Sequence, residues 1–279
     1  MRECCIIRFW MWGLFMSDFF KIKIFRKKNI MFMLFVIIFI NFLNFYFSNN
    51  QVTYLNVNPL QSCWNMNLLM TGTFTMAGLI YSFLAFIMAS LPLSNSLVED
   101  RNCGILDQIA IRMPIKTYIV KTYIYNFLAG GLFVIMPLVI NIVLWMLVRP
   151  MFAMNYISAG LANFIFLSDL FVKSPLLFHL IHLFIVFIGG GLIASFSLYL
   201  NTKFNNKYIG FLLVLVIDLL ASLIFYFVSI VLNKDIVLVS LRSLLVEMSF
   251  SNPLISLIYL LTILLIPIYY LYKLAKRRY

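Results

Sequence analysis

Six long apolar runs, separated by short polar stretches, dominate this sequence. They cover residues 30–47, 67–91, 122–148, 175–200, 209–232 and 256–272. Most have about the 20 residues that an α-helix needs to cross the roughly 30 Å hydrocarbon core of a bilayer. Apolar residues make up 64% of the 279-residue chain, and a water-soluble domain of this size could not bury so many in one core. The sequence therefore predicts an all-α integral membrane protein with six transmembrane helices.

Basic residues are distributed unevenly between the two sides of this predicted bundle. Seventeen of the 21 Lys and Arg residues lie in segments 1–29, 93–121, 201–208 and 273–279. The alternate segments hold only Arg149, Lys173, Lys234 and Arg242. Because cytoplasmic loops of membrane proteins are enriched in Lys and Arg, we expect both termini in the cytoplasm. The richness in Phe, Ile, Asn and Lys favours a bacterial source with an AT-rich genome. The net charge of +12 then indicates contact with anionic membrane lipids and not with nucleic acid.

The chain divides into three segments. Residues 1–29 mix aromatic, apolar and basic side chains, which predicts an interfacial helix on the inner leaflet. Residues 30–272 form the six-span transmembrane domain, and residues 273–279 form a basic cytoplasmic tail. Residues 48–66 are polar and carry no basic residue, so we expect a short loop on the outer side.

The longest charged interruption, residues 93–121, lies between the second and third predicted spans. Its first part predicts a short helix capped by one of the polar residues 94–96. Glu99 and Asp100 would then lie in the first turn, where the helix dipole favours acidic groups. Gly104 permits a bend after this helix.

A second short helix is predicted from Ile105 to Arg112. Ile105 and Ile109 fall on one side and Asp107 and Arg112 on another, and Pro114 ends the helix. We expect a helix–bend–helix held against the membrane, with its charges projecting into the cytosol. A simple solvated loop would explain the polarity but not the ordered apolar positions.

The residues of this segment resemble the loop between the second and third spans of ABC type-2 permeases. In that family an acidic residue, a Gly followed by Leu and an acidic residue, a Pro and a Lys recur at similar spacing. The matching positions here are Glu99, Asp100, Arg101, 104–109, Pro114 and Lys121. The layout of an interfacial helix, six spans and internal termini is also similar. Ile105 stands where the family often has Thr, and Asp107 where Glu is common.

This resemblance implies the membrane permease subunit of an ATP-driven exporter. Two copies, or one copy and a related subunit, would face each other, and each would dock a cytosolic ABC ATPase through the loop. The implied contact residues are Glu99, Asp100, Arg101, Gly104, Ile105, Asp107, Ile109 and Arg112. The chain has no GxxxxGK[ST] motif, so we expect the partner ATPase to bind ATP and Mg²⁺ and this chain to hold no cofactor. The apolar, aromatic spans favour a hydrophobic or amphipathic cargo, such as a lipid, drug or peptide.

Three ionisable residues fall inside predicted spans. Asp218 lies near the middle of the fifth, and His179 and His182 lie one helical turn apart in the outer part of the fourth. Ionisable groups are costly in a bilayer and are candidate functional residues by default, although hydrogen-bonded packing is an alternative for all three. The depth difference between His182 and Asp218 is roughly 10 Å at 1.5 Å per residue, so we expect no direct contact.

Two other classes of function share this topology. One is a non-transporting membrane anchor or an immunity factor against an antimicrobial peptide. The other is an intramembrane enzyme, but the chain lacks HExxH and GxSxG, the motifs of zinc and serine hydrolases. The discriminating observation is whether an ATPase co-purifies and depends on this chain for its activity.

Overall fold

The computed structural model describes residues 23–24, 26–54, 62–68, 75–112, 114–149, 151, 170, 173–206, 208–232 and 269. Within these residues all regular structure is helical, with no strand. The helices are α1 (Lys27–Tyr54), α2 (Cys63–Met66), α3 (Met76–Ser90), α4 (Ser96–Asn102), α5 (Ile105–Arg112), α6 (Ile115–Val148), α7 (Pro175–Phe204) and α8 (Ile209–Leu232).

Three helices are long and apolar enough to cross a membrane. They are α6, α7 and the Lys27–Phe47 part of α1. Helix α3 and the Leu212–Ile224 part of α8 are apolar but shorter. The all-helical, membrane-protein class is thus found, whereas the six-span count and the cytoplasmic termini stay predictions. The run at 256–272 lies outside the described residues except for Tyr269, as do residues 1–22 and the tail.

Helices α3 and α6 begin several residues away from their predicted starts. Helix α6 starts at Ile115, directly after Pro114, and therefore includes residues 115–121 of the predicted loop. Helix α3 starts at Met76, not at residue 67, because Thr75 caps it: the Thr75 hydroxyl accepts a hydrogen bond of 3.2 Å from the Gly78 N–H. A side-chain cap of this kind satisfies a backbone donor that the first helical turn leaves without a partner.

Helices α6 and α7 pack closely because glycines lie at their crossing. A Cβ atom built on Gly191 would lie 2.6 Å from the Phe127 ring, and one built on Gly131 would lie 2.6 Å from Phe187. Small residues at such positions let helix backbones approach in membrane proteins. Gly190, whose added Cβ would lie 3.0 Å from Val134, belongs to the same crossing.

Helices α6 and α7 are antiparallel, which defines two ends of the bundle. Near the start of α6, Asn126 Nδ2 donates to the Ala194 carbonyl in the second half of α7 at 2.7 Å. Near the end of α7, Asn201 Nδ2 donates to the Ser94 carbonyl at 3.1 Å. We call the end that carries α4 and α5 the inner end, and the end where α6 finishes and α7 begins the outer end.

Candidate functional site: the inner loop

The segment between α3 and α6, residues 91–114, is the inner loop. It has the predicted helix–bend–helix form, with α4 and α5 joined through Gly104, whose φ of +67° lies in the left-handed region that favours glycine. The predicted side-chain cap is absent: Asn95 occupies the N-cap position of α4 without capping it. Its Oδ1 instead accepts a hydrogen bond of 2.8 Å from Asn201, which ties the loop to the end of α7.

A buried ion pair fixes the inner loop to the segment before α1. Lys23 Nζ lies 2.5 Å from Asp100 Oδ1, and the two side chains are 5% and 1% exposed. The other carboxylate oxygen of Asp100 accepts a hydrogen bond from the Tyr118 hydroxyl in α6. Burial lowers the pKa of Lys23, although the Asp100 carboxylate favours its charged form.

The expectation that Asp100 projects into the cytosol is therefore wrong. Both of its oxygens face groups of its own chain, because Lys23 and Tyr118 supply the partners that a buried carboxylate requires. A second ion pair lies beside the first: Arg26 Nη2 donates to Glu99 Oε2 at 2.9 Å, with side chains 43% and 22% exposed. We call these five residues the inner cluster.

The apolar side of the inner loop packs against the bundle. Ile105 and Ile109 are 6% and 7% exposed. They belong to a core cluster that also contains Leu93, Leu97, Tyr118, Tyr123 and Leu198. Two of the implied contact residues, Ile105 and Ile109, therefore have side chains that are buried in this chain and do not face a partner.

The opposite side of the inner loop is exposed. Arg101 on α4 and Asp107 on α5 face solvent, and Ile111 is 86% exposed. The sequence interpretation missed Ile111. Its spacing of four from Asp107 places both on one helix face, opposite the face of Ile105 and Ile109, so helical periodicity could have found it. Arg112 ends α5, and its side chain lies outside the described part.

The candidate histidines lie away from the inner loop, near the outer end. His179 Nε2 lies 2.8 Å from Asn67 Nδ2, and His179 Nδ1 lies 2.7 Å from the Pro175 carbonyl. The His182 ring is 1% exposed, and within the described part of the chain neither of its nitrogens has a hydrogen-bond partner. On α8, Asp218 is also 1% exposed. Among the described residues, no group of three His, Cys, Asp or Glu side chains could hold a metal ion.

Comparisons with known proteins do not assign the chain to a family. No protein-family model matches the chain, and neither a curated protein nor a solved structure shows a significant match. The functional hypothesis therefore depends on the geometry of the inner loop and on the resemblance of its residues.

Proposed function

We propose that this chain is the membrane permease subunit of an ATP-driven ABC exporter. It would couple ATP hydrolysis by a separate cytosolic ATPase to the export of a hydrophobic or amphipathic molecule, such as a lipid, drug or peptide. Its membrane domain would have six spans with both termini cytoplasmic, and it would pair with a second permease subunit. The observation that carries the proposal is the two-sided inner loop, one side fixed to the bundle and the other exposed.

The exposed side has the composition of a docking surface. Protein–protein contacts combine an apolar centre with a polar, charged rim, and Ile111 with Arg101 and Asp107 supplies both kinds of group. A single exposed isoleucine is common on protein surfaces. Here it lies on the helix face opposite two buried isoleucines, so the loop is held in place while Ile111 stays accessible.

The fixed side would pass displacement to the spans. Asp100 on α4 contacts Lys23, ahead of α1, and Tyr118, in the first turn of α6. A push on α4 would therefore move the inner ends of α1 and α6 together. A partner can bias such an element only by binding one arrangement better than the other, which ATP-dependent closure of an ATPase would supply.

Affinity purification in mild detergent tests the proposal. We expect an ABC ATPase to co-purify with the wild-type chain and its hydrolysis rate to depend on the chain. Arg101→Glu combined with Ile111→Asp should lower that stimulation about tenfold or more, because central interface residues contribute most of the binding free energy, and should leave membrane insertion unchanged. Asp100 is unsuitable for this test because it is buried.

Lys173→Glu is the matched control. It reverses an exposed charge directly before α7, at the outer end, and should leave ATPase stimulation at the wild-type value. Normal stimulation by the Arg101→Glu, Ile111→Asp protein would refute the docking surface. A wild-type chain that purifies alone and changes no ATPase activity would refute the exporter and favour the anchor or immunity factor.

A further inference from the structure

A segment expected to be an outer loop is instead inserted between the helices. Residues 62–68 include the one-turn helix α2, and the described side chains from Ser62 to Leu68 are 5% exposed or less. The sequence places most of this segment in a polar loop outside the bilayer. The segment does carry polar groups, but their hydrogen-bond partners lie inside the bundle.

Hydrogen bonds from α6 and α7 hold the segment. The Leu68 N–H donates to Asn141 Oδ1 at 2.7 Å. Asn67 Nδ2 lies 2.8 Å from His179 Nε2 and also donates to the Trp64 carbonyl at 2.9 Å. The Trp64 ring lies 5.1 Å from the His179 ring, measured between centroids.

Polar side chains of α1 and α6 that hydrogen-bond to one another form a polar wall next to the segment. Asn141 Nδ2 donates to Asn41 Oδ1 at 2.8 Å and to Asn44 Oδ1 at 3.2 Å. Trp145 Nε1 donates to Asn44 Oδ1 at 2.7 Å. We call residues 62–68 together with Asn41, Asn44, Asn141, Trp145 and His179 the outer network.

The position of the outer network shows what the segment covers. Asn141 lies seven residues before the end of α6 at Val148, which is about 10 Å inward at 1.5 Å per residue. Non-helical backbone at membrane depth is tolerated only where protein buries it or where it lines a water-filled cavity. Without residues 62–68, the polar wall would line such a cavity.

His182 adds one buried polar side chain further inward. It lies one turn further into α7 than His179, and its two ring nitrogens have no hydrogen-bond partner among the described residues. A buried polar group without a partner is costly. Water that entered after withdrawal of the segment would supply partners for His182 and for the freed groups of Asn141 and His179.

We infer that residues 62–68 form a displaceable plug, which closes a polar cavity at the outer end and is held there by Asn141 and His179. The inference does not depend on the proposed ATPase partner. A plug of this kind exchanges between a closed arrangement and a hydrated open one, and the hydrogen bonds of the outer network set the open fraction.

Cys63 lies in the plug and is 2% exposed, so its thiol reports opening. In a chain with Cys4→Ser, Cys5→Ser and Cys103→Ser, Cys63 is the sole thiol. Purified protein in mild detergent is treated with a charged maleimide, and the rate is compared with that of the denatured chain. We expect labelling to be at least about a hundredfold slower than in the denatured chain, because a buried thiol reacts only from the open arrangement.

Asn141→Leu should raise the labelling rate about tenfold, because it removes the Leu68 contact at similar side-chain volume. Asn126→Leu is the matched control: the same substitution on the same helix removes a bond to Ala194, away from the plug, and should leave the rate unchanged. His179→Phe, which removes the Asn67 contact, should act like Asn141→Leu and replaces it if that variant does not fold. Rapid labelling of the parent chain, or equal rates in the Asn126 and Asn141 variants, would overturn the plug.

Discussion

The two ends of this bundle hold their irregular segments by different chemistry. At the inner end, the ion pairs Lys23–Asp100 and Arg26–Glu99 join the inner loop to the segment before α1. At the outer end, the neutral Asn141 amide and the His179 imidazole hold residues 62–68. The basic residues of the inner cluster, Lys23 and Arg26, precede the start of α1 at Lys27. The outer network lies deeper in the bundle and consists of neutral groups. This agrees with the higher cost of charges than of amides inside a bilayer.

The difference predicts different responses to substitution. Removing one member of a buried ion pair leaves a charge without compensation, which is more costly than the pair itself is favourable. Removing one amide leaves dipoles that can find other partners, so the cost of a lost hydrogen bond between membrane helices is small. A single substitution in the buried ion pair of the inner cluster should therefore lower the free energy of unfolding more than a single substitution in the outer network.

The largest expected effect comes from Asp100→Asn. This change keeps the shape and an acceptor for Tyr118 but removes the carboxylate that lies 2.5 Å from the buried Lys23 charge, which should lower the free energy of unfolding by about 3–5 kcal/mol. The measurement is the unfolding midpoint in mild detergent. The loss should shrink as the pH rises toward 10.5, the normal Lys value, because burial lowers the pKa of Lys23 and its neutral form carries no such penalty.

Lys23→Met combined with Asp100→Asn is the compensating variant. With both charges removed, the amide introduced in place of the Asp100 carboxylate can still accept from Tyr118 and no ion is buried, so more than half of the lost stability should return. A double variant no more stable than Asp100→Asn alone would mean that the inner cluster is not held by this ion pair.

Particular residues show how far the sequence could predict this structure. Gly104 and Pro114 correctly predicted the bend between α4 and α5 and the end of α5, because their backbone preferences are local. The start of α6 directly after Pro114 was not predicted. The Lys23–Asp100 contact joins residues 77 positions apart, and no local pattern encodes such a pairing. The position of Asp100 in a polar loop therefore led to the expectation that it contacts another protein. In the structure, Asp100 pairs with Lys23 of its own chain.

The outer network was missed for a related reason. Asn41 and Asn44 interrupt an apolar run at a spacing of three, which places them on one helix face. Asn141 interrupts the apolar run at 122–148. That signal was available in the sequence and indicates polar groups facing the bundle interior. It could not indicate that residues 62–68 are the partner, because the length and polarity of that segment are also typical of a surface loop.

A smaller effect is expected from Asn141→Leu. Loss of its bonds to Leu68, Asn41 and Asn44 should lower the free energy of unfolding by about 1–2 kcal/mol, since single hydrogen bonds between membrane helices contribute about 0.6 kcal/mol on average. Asn126→Leu, which loses one bond, should cost less than half as much. Unfolding midpoints of the two variants in the same detergent make the comparison. A loss as large as that of Asp100→Asn would contradict the contrast between the two ends.

The smallest effect is expected from Glu99→Gln, which lies beside Asp100 in the same cluster. The Arg26 side chain of this pair is 43% exposed, and ion pairs in contact with water contribute only about 0–1 kcal/mol. Added salt screens such pairs, with a Debye length of about 3 Å at 1 M, so the difference between Glu99→Gln and wild type should vanish at high salt. The Asp100→Asn deficit should persist there, because water and salt do not reach the buried pair. If salt removed both deficits alike, the Lys23–Asp100 pair would have to be open to solvent, and the inner cluster would be a surface feature rather than the buried joint that couples the inner loop to α1 and α6.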